Sequence, residues 1–230
     1  MRGVMTYATF RQVLEHTRSA TEPPEAILAT GDLVQDETRA GYERFRDELS
    51  DAGVPVYCLA GNHDSPAVMH DVLGGSPFQV GGQARCGNWN LLLLNSFSAG
   101  DDGGRISTGD LEQLAADLDA LRNEHVMLAV HHHPVPMGSR WLDGVGLRNG
   151  NQLMEIATGA GNVRAVVWGH VHQASDRRRD GVRLISTPST CSQFRPNSDA
   201  FALDSRPPGY RWIDLYADGT IETEVVWVGS

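Results

Sequence analysis

Residues 26–36 read AILATGDLVQD, a short apolar run that stops at a glycine and a carboxylate. The same layout returns as VPVYCLAGNHD at 54–64, VMLAVHHHPVP at 126–136 and VRAVVWGHVHQ at 163–173. Apolar runs of this length bounded by polar residues read as buried strands. Between them, residues 40–51, 66–73, 108–122 and 151–158 carry helical spacing, and Tyr7, Phe10, Val13 and Leu14 carry it ahead of the first run. Strands alternating with helices make an α/β protein. Ligands in such sheets bind just beyond the carboxyl ends of the strands, so the polar endings are expected to meet at one site.

Taken singly, each ending has an ordinary structural explanation. Gly31-Asp32 and Gly61-Asn62 fit turns, residues 131–134 fit a loop, and His170 or His172 alone fits a hydrogen-bonded, partly buried imidazole. A metal site explains all of them together. Carboxylate, amide oxygen and imidazoles form a borderline-hard ligand set suited to manganese, iron or zinc. A His-x-His pair can place two imidazoles on one side of the backbone, and one carboxylate can bridge two cations. Two metals about 3.5–4 Å apart clamp the attacking and leaving oxygens of a displacement at phosphorus. Glycine before the ligand lets the chain bend sharply at the strand end. Together these features point to phosphoester hydrolysis.

The gross composition agrees with a globular enzyme. At 230 residues, 40% hydrophobic and 21% charged, one domain spanning 1–230 is expected. The formal net charge of −10 argues against nucleic acid or an anionic membrane as partner. The longest basic cluster, 177–179, reads as a solvated strand end or turn. Cys58, Cys86 and Cys191 form no CxxC pair, which favours a reducing compartment, and the cytoplasm is the expected location. No apolar stretch approaches the ~18 residues of a membrane span. Residues 197–209, with two prolines, read as a long surface loop, and pairing of it and the late strands across subunits makes a homodimer conceivable.

With these motifs in place, the sequence resembles the calcineurin-like metallophosphoesterases. Their pattern runs Asp-x-His, Gly-Asp-x-x-Asp, Gly-Asn-His-Asp/Glu, a histidine before a proline-containing turn, and Gly-His-x-His. The last four correspond here to Gly31-Asp32-Leu33-Val34-Gln35-Asp36, Gly61-Asn62-His63-Asp64, His131-His132-His133-Pro134 and Gly169-His170-Val171-His172. Within the family, HHHPVPMGSRWLDGVGLRN and TPSTCSQF are most similar to the bacterial class III 3′,5′-cyclic-AMP phosphodiesterases. The resemblance implies a four-layer α/β/β/α sandwich. It makes Asp32 the carboxylate bridging two metals, Asn62, His131 and His170 the other ligands of the second metal, and His172 a ligand of the first. Asn62, His63 and His172 would contact substrate. His131 is chosen among three adjacent histidines because it comes first after the apolar run.

The implied reaction is hydrolysis of 3′,5′-cyclic AMP to 5′-AMP by a metal-activated water, with His63 as the acid that protonates the leaving ribose oxygen. The implied cofactors are two divalent or mixed-valence ions of iron, manganese or zinc. Arg148, Asn149 and residues 187–194 are weak candidates for holding the base, against plain loop packing. The pattern departs at the front, where no Asp-x-His occurs among residues 1–31. Met1 is therefore expected to be an internal methionine of a longer protein, and the chain as written to keep a full ligand set for one metal. Two rival expectations stand beside this one. The first is a sibling hydrolase of 2′,3′-cyclic nucleotides, glycerophosphodiesters or other diesters. The second is a non-catalytic scaffold that lost the first-metal ligands.

Overall fold

The computed structural model describes residues 3–229; Met1, and with it the reading of Met1 as an internal residue, lies outside them. The chain runs α1 (Thr6–Arg18), β1 (Ile27–Ala29), α2 (Arg39–Leu49), β2 (Val56–Cys58), α3 (Pro66–Val72) and β3 (Phe78–Val80). It continues through β4 (Gly82–Cys86), β5 (Trp89–Leu94), α4 (Thr108–Ala120), β6 (His125–Val130), α5 (Arg140–Asp143) and α6 (Gly150–Gly159). It closes with β7 (Val163–Trp168), β8 (Ser175–Arg179), β9 (Val182–Ser186), β10 (Gly209–Leu215) and β11 (Ile221–Trp227). The helices expected at 40–51, 66–73, 108–122 and 151–158 are α2, α3, α4 and α6, with ends displaced by a few residues. Caps set some of those ends: the Thr38 and Ser107 hydroxyls accept from the Gly41 and Asp110 amides and start α2 and α4.

The strands form a parallel sheet β1-β2-β3, a six-stranded sheet β4-β5-β6-β7-β9-β8 and a β10-β11 hairpin. In the larger sheet β5, β6, β7 and β9 are parallel, while β4 and β8 pair antiparallel at its edges. Alternation along the strands assigns each side chain to a layer. Val126, Leu128 and Val130 of β6 face a core shared with α4 and α6, whereas Met127 and Ala129 face the space between the sheets. On β2, Val56 and Cys58 pack under α2 and α3, while Tyr57 and, just past the strand, Leu59 face the same inter-sheet space. Three apolar cores thus separate four layers, helices outside and sheets within. Residues 177–179 lie on the edge strand β8 with their side chains in solvent, where charge discourages pairing with another sheet.

One strand departs from the fully buried pattern. Ile27, Leu28 and Ala29 are all only half-buried. β1 pairs with β2 alone among the described strands. Its open side faces a cavity of about 1990 Å³ that runs beneath Ile213 and Leu215 of β10 and reaches Asp32, His131 and His172. Among the described residues no helix is long and apolar enough to cross a membrane.

Candidate metal centre

Four strands end at the same place. Beyond β1, β2, β6 and β7 the chain delivers Asp32, Asn62, His131 and His170 to a single cluster. His170 Nδ1 lies 3.0 Å from Asn62 Oδ1 and 3.2 Å from His131 Nε2. His131 Nε2 lies 3.2 Å from Asn62 Oδ1 and 3.4 Å from Asp32 Oδ1. Donor atoms around one ion with bonds of about 2.0–2.2 Å stand roughly 3.0–3.5 Å apart, and the cluster has that spacing.

The hydrogen bonding shows how such a cluster could hold a cation. His131 Nδ1 donates to the Thr30 carbonyl at 2.7 Å, which leaves Nε2 with its lone pair facing the cluster. The Asn62 and Asp32 oxygens are acceptors as well. With His131 neutral, at most one ring proton, that of His170, is available among four lone-pair-bearing atoms. The Nε2 atoms of His132 and His170 are buried without a partner, an arrangement that a folded core rarely keeps unless something else binds there.

The electrostatics follow the same logic. Burial pushes the Asp32 carboxyl upward, but the His131 ring and the hydrogen bonds it and His63 supply outweigh burial and hold the carboxylate well below its usual range. His131 is raised: burial opposes its charged form, and Asp32 overcomes burial. Burial takes His172 down to about 4, His132 to about 3 and His170 well below its ordinary value. Those three rings are neutral at pH 7, the form that ligates metal.

The local backbone is strained where the candidate ligands sit. Asp32, His170 and His172 adopt φ of +53°, +60° and +46°, a region uncommon for residues with a Cβ and frequent at functional sites. The preceding glycines serve two different purposes. Gly31, at φ +98°, supplies the bend expected from sequence. Gly61 and Gly169 instead permit close approach: a Cβ at Gly61 would strike the Asp32 carboxylate, and one at Gly169 would come within 2.6 Å of Thr30 Oγ1.

The three adjacent histidines separate. His131 joins the cluster, His132 Nδ1 pairs with Ser96 Oγ at 2.8 Å, and His133 Nε2 stands 3.6 Å from Asp143. A ring nitrogen of His132 also lies within 4.8 Å of those of His131 and His170. His172 is held apart from the cluster, its Nδ1 donating to the Ser192 carbonyl at 2.7 Å and its ring stacked on Phe194 at 4.1 Å. The 187–194 segment therefore bears on the site through His172. Arg148 is occupied by Asp101 and the Gly144 carbonyl, and Asn149 by both backbone groups of Ile106, so loop packing accounts for these two.

Two residues of the site gave no separate signal in the sequence. Asp64, 1% exposed, accepts from the Leu33, Val34 and Gly61 amides and from the Tyr42 hydroxyl, tying the loop after β1 to the loop after β2. Gln35 reaches His63, its Nε2 3.1 Å from His63 Nδ1. Asp36, counted above as the end of Gly-Asp-x-x-Asp, lies outside the cluster; its carboxylate accepts from the Thr38 amide and hydroxyl in front of α2. Counting from Asp32, the last position of that motif falls on Gln35.

Residues 4–174 match the calcineurin-like phosphoesterase family, and the chain belongs to it. It is 38% identical over 224 residues to the 3′,5′-cyclic adenosine monophosphate phosphodiesterase CpdA of Haemophilus influenzae, covering 97% of this chain and 82% of that protein. With the Pseudomonas aeruginosa protein of the same name the identity is 39% over 227 residues, with the same coverage. Among solved structures, a dimetal phosphatase from Danio rerio superposes with a TM-score of 0.67 at 15% identity, covering 97% of this chain and 89% of the other, which establishes the fold.

Proposed function

We propose that this chain hydrolyses 3′,5′-cyclic AMP to 5′-AMP at the cluster at the strand ends. The observation that carries the reaction class is the approach of Asp32, Asn62, His131 and His170 ligand-type atoms to 3.0–3.4 Å of one another at the strand ends. The two CpdA relatives support the substrate. Asp32, Asn62, His131 and His170 would hold one cation, and Asp32 with His172 would contribute to a second. Nitrogen and oxygen ligands without thiolate fit iron, manganese or zinc. Bound there, divalent cations supply Lewis acidity to the phosphoryl oxygens and a more acidic water.

The residues of the chain prepare that chemistry. Asp64 and the close contact at Gly61 fix Asp32 against the loop that carries Asn62 and His63. The Ser192 carbonyl and Phe194 hold the His172 ring in one orientation. Asn62, His63 and His172 line the same cavity as Asp32, which supports a role for them in meeting a phosphodiester there.

The test is turnover of 3′,5′-cyclic AMP, 2′,3′-cyclic AMP, glycerophosphocholine and bis(p-nitrophenyl) phosphate by protein loaded with Mn²⁺ or Zn²⁺, with metal content measured in parallel. Preference for the 3′,5′-cyclic nucleotide is expected. A higher rate on another diester would reassign the substrate, and bound metal with no turnover on any of the four would favour the scaffold. Asp32→Asn is expected to lose bound metal and more than about 100-fold in turnover, since it removes a ligand charge from both positions.

A further inference from the structure

We infer that Gln35 is a positioning residue that turns His63 into a hydrogen-bond donor to a phosphoryl oxygen of the reacting group, in place of the proton donor expected from sequence. The inference rests on the phosphodiesterase reading for its substrate and on the Gln35–His63 geometry for its content.

Gln35 Nε2 lies 3.1 Å from His63 Nδ1. An amide nitrogen only donates, so Nδ1 must be the accepting side of the imidazole and the ring proton must sit on Nε2. That Nε2–H makes no hydrogen bond to another described residue. His63 lines the cavity together with Asp32, Asn62, His170 and His172, so the proton is available to a ligand held there.

The backbones that carry both partners of this contact are tied together. Leu33 and Val34, just before Gln35, donate their amides to Asp64 at 3.1 and 3.4 Å. Asp64 adjoins His63, whose own amide donates to Asp32 Oδ1 at 3.0 Å. The backbones of the two loops that carry Gln35 and His63 are thus locked to one buried carboxylate, which brings the exposed Gln35 side chain within reach of His63.

The chemical consequence concerns the leaving group. When the 3′ P–O bond breaks, its electron pair stays on O3′. A ring that accepts a hydrogen bond at Nδ1 carries one proton, and giving it up would leave an imidazolate, a very poor outcome in energy. The Nε2–H therefore acts as a hydrogen-bond donor to charge building on a non-bridging phosphoryl oxygen, and water supplies the proton that O3′ finally takes up. Donation of the proton itself would require Nδ1 to carry a hydrogen too, with an acceptor facing it.

The decisive measurement is the long-range ¹H–¹⁵N spectrum of the His63 imidazole in the wild-type chain, metal-free and zinc-loaded. The Nε2–H tautomer is expected in both forms. An Nδ1–H tautomer, which would mean that the Gln35 amide is reversed, overturns the inference whatever the enzyme's substrate. Kinetics form a second arm. His63→Ala is expected to slow 3′,5′-cyclic AMP and bis(p-nitrophenyl) phosphate by factors within about threefold of each other, because a hydrogen bond to the phosphoryl group serves good and poor leaving groups alike. A loss on the cyclic nucleotide more than about tenfold greater would identify proton donation and sink the inference. Gln35→Met should lower kcat by about tenfold in the wild type and by less than about twofold in the His63→Ala background. Losses that simply multiply would make Gln35 a structural residue. If wild-type protein turns over no diester, the phosphodiesterase reading fails by itself, and the tautomer still judges the role of Gln35.

Discussion

At Gly61 the fold has room for a hydrogen atom and nothing larger, because an added Cβ would strike the Asp32 carboxylate. Gly53 makes a useful contrast: it sits at φ +73° with nothing within 4 Å of the added atom. Gly53→Ala should therefore cost about 1 kcal/mol of backbone strain and leave turnover unchanged. Gly61→Ala should cost about 1–3 kcal/mol and also move Asp32, so metal content and turnover fall with it. Urea melts and rates on the two variants distinguish strain from site damage. A second residue-scale prediction concerns thiols. Cys58 is fully buried, and burial pushes its thiol up to about 12, whereas Cys86 and Cys191 are partly exposed. Iodoacetamide should label Cys86 and Cys191 in the native protein and reach Cys58 only on unfolding. Residue types and motif order drew attention to Asp32, Asn62, His131 and His170 before any geometry was known. The partners of His132, His133 and Asp36 were not legible, because Ser96, Asp143 and Thr38 are set by loop paths that no period-2 pattern encodes. Gln35 was hidden for the same reason, lying in the spacer between two carboxylates that took the attention.

At the scale of elements, the site depends on how the ends of β1 and β2 are joined to α2. Tyr42, fully buried on α2, donates to Asp64 at 2.9 Å and accepts from the Ser65 amide at 2.7 Å. Burial first, and then the Asp64 charge, raise the phenol well above its ordinary value. It thus remains a donor at any pH at which the protein folds. Tyr42→Phe would leave the Ser65 amide unpaired and take one donor from a buried carboxylate, at a cost of about 1–3 kcal/mol. Because Asp64 also holds the loops bearing Asp32 and His63, turnover should drop while the fold survives, a combination visible by circular dichroism beside a rate assay. Elements with strong periodicity were readable from sequence, as the match of α2, α3, α4 and α6 to their expected spans shows. β8, β10 and β11 were not. The SDRRR of β8 has no apolar alternation, and its strand character comes from pairing with β9 at the sheet edge. β10 and β11 are half-buried along most of their length and hold each other through seven paired positions, a tertiary cause that leaves a weak trace in sequence.

For the whole molecule, the two sheets converge on a cluster of candidate ligand atoms that stand 3.0–3.4 Å apart. β1 and β2 belong to one sheet, β6 and β7 to the other, so the cluster sits where the two halves of the sandwich meet. A metal bound there draws both halves together, and its binding free energy adds to folding stability because the unfolded chain offers no such site. At a free concentration about 100-fold above its dissociation constant, one ion contributes about 2.7 kcal/mol. In a chain of this size that corresponds to a rise in Tm of about 5–10 °C. Titrating metal-free protein with Mn²⁺ or Zn²⁺ during thermal melts should give this rise in the wild type and in His70→Ala, which alters an exposed residue of α3 away from the cluster. His170→Ala should lose most of it, since one of four clustered ligands is gone and the Asp32, Asn62 and His131 lone pairs are left without their closing partner. An equal rise in all three proteins would place the bound metal elsewhere in the molecule, and no rise in the wild type would mean that the facing lone pairs are reconciled by protons alone.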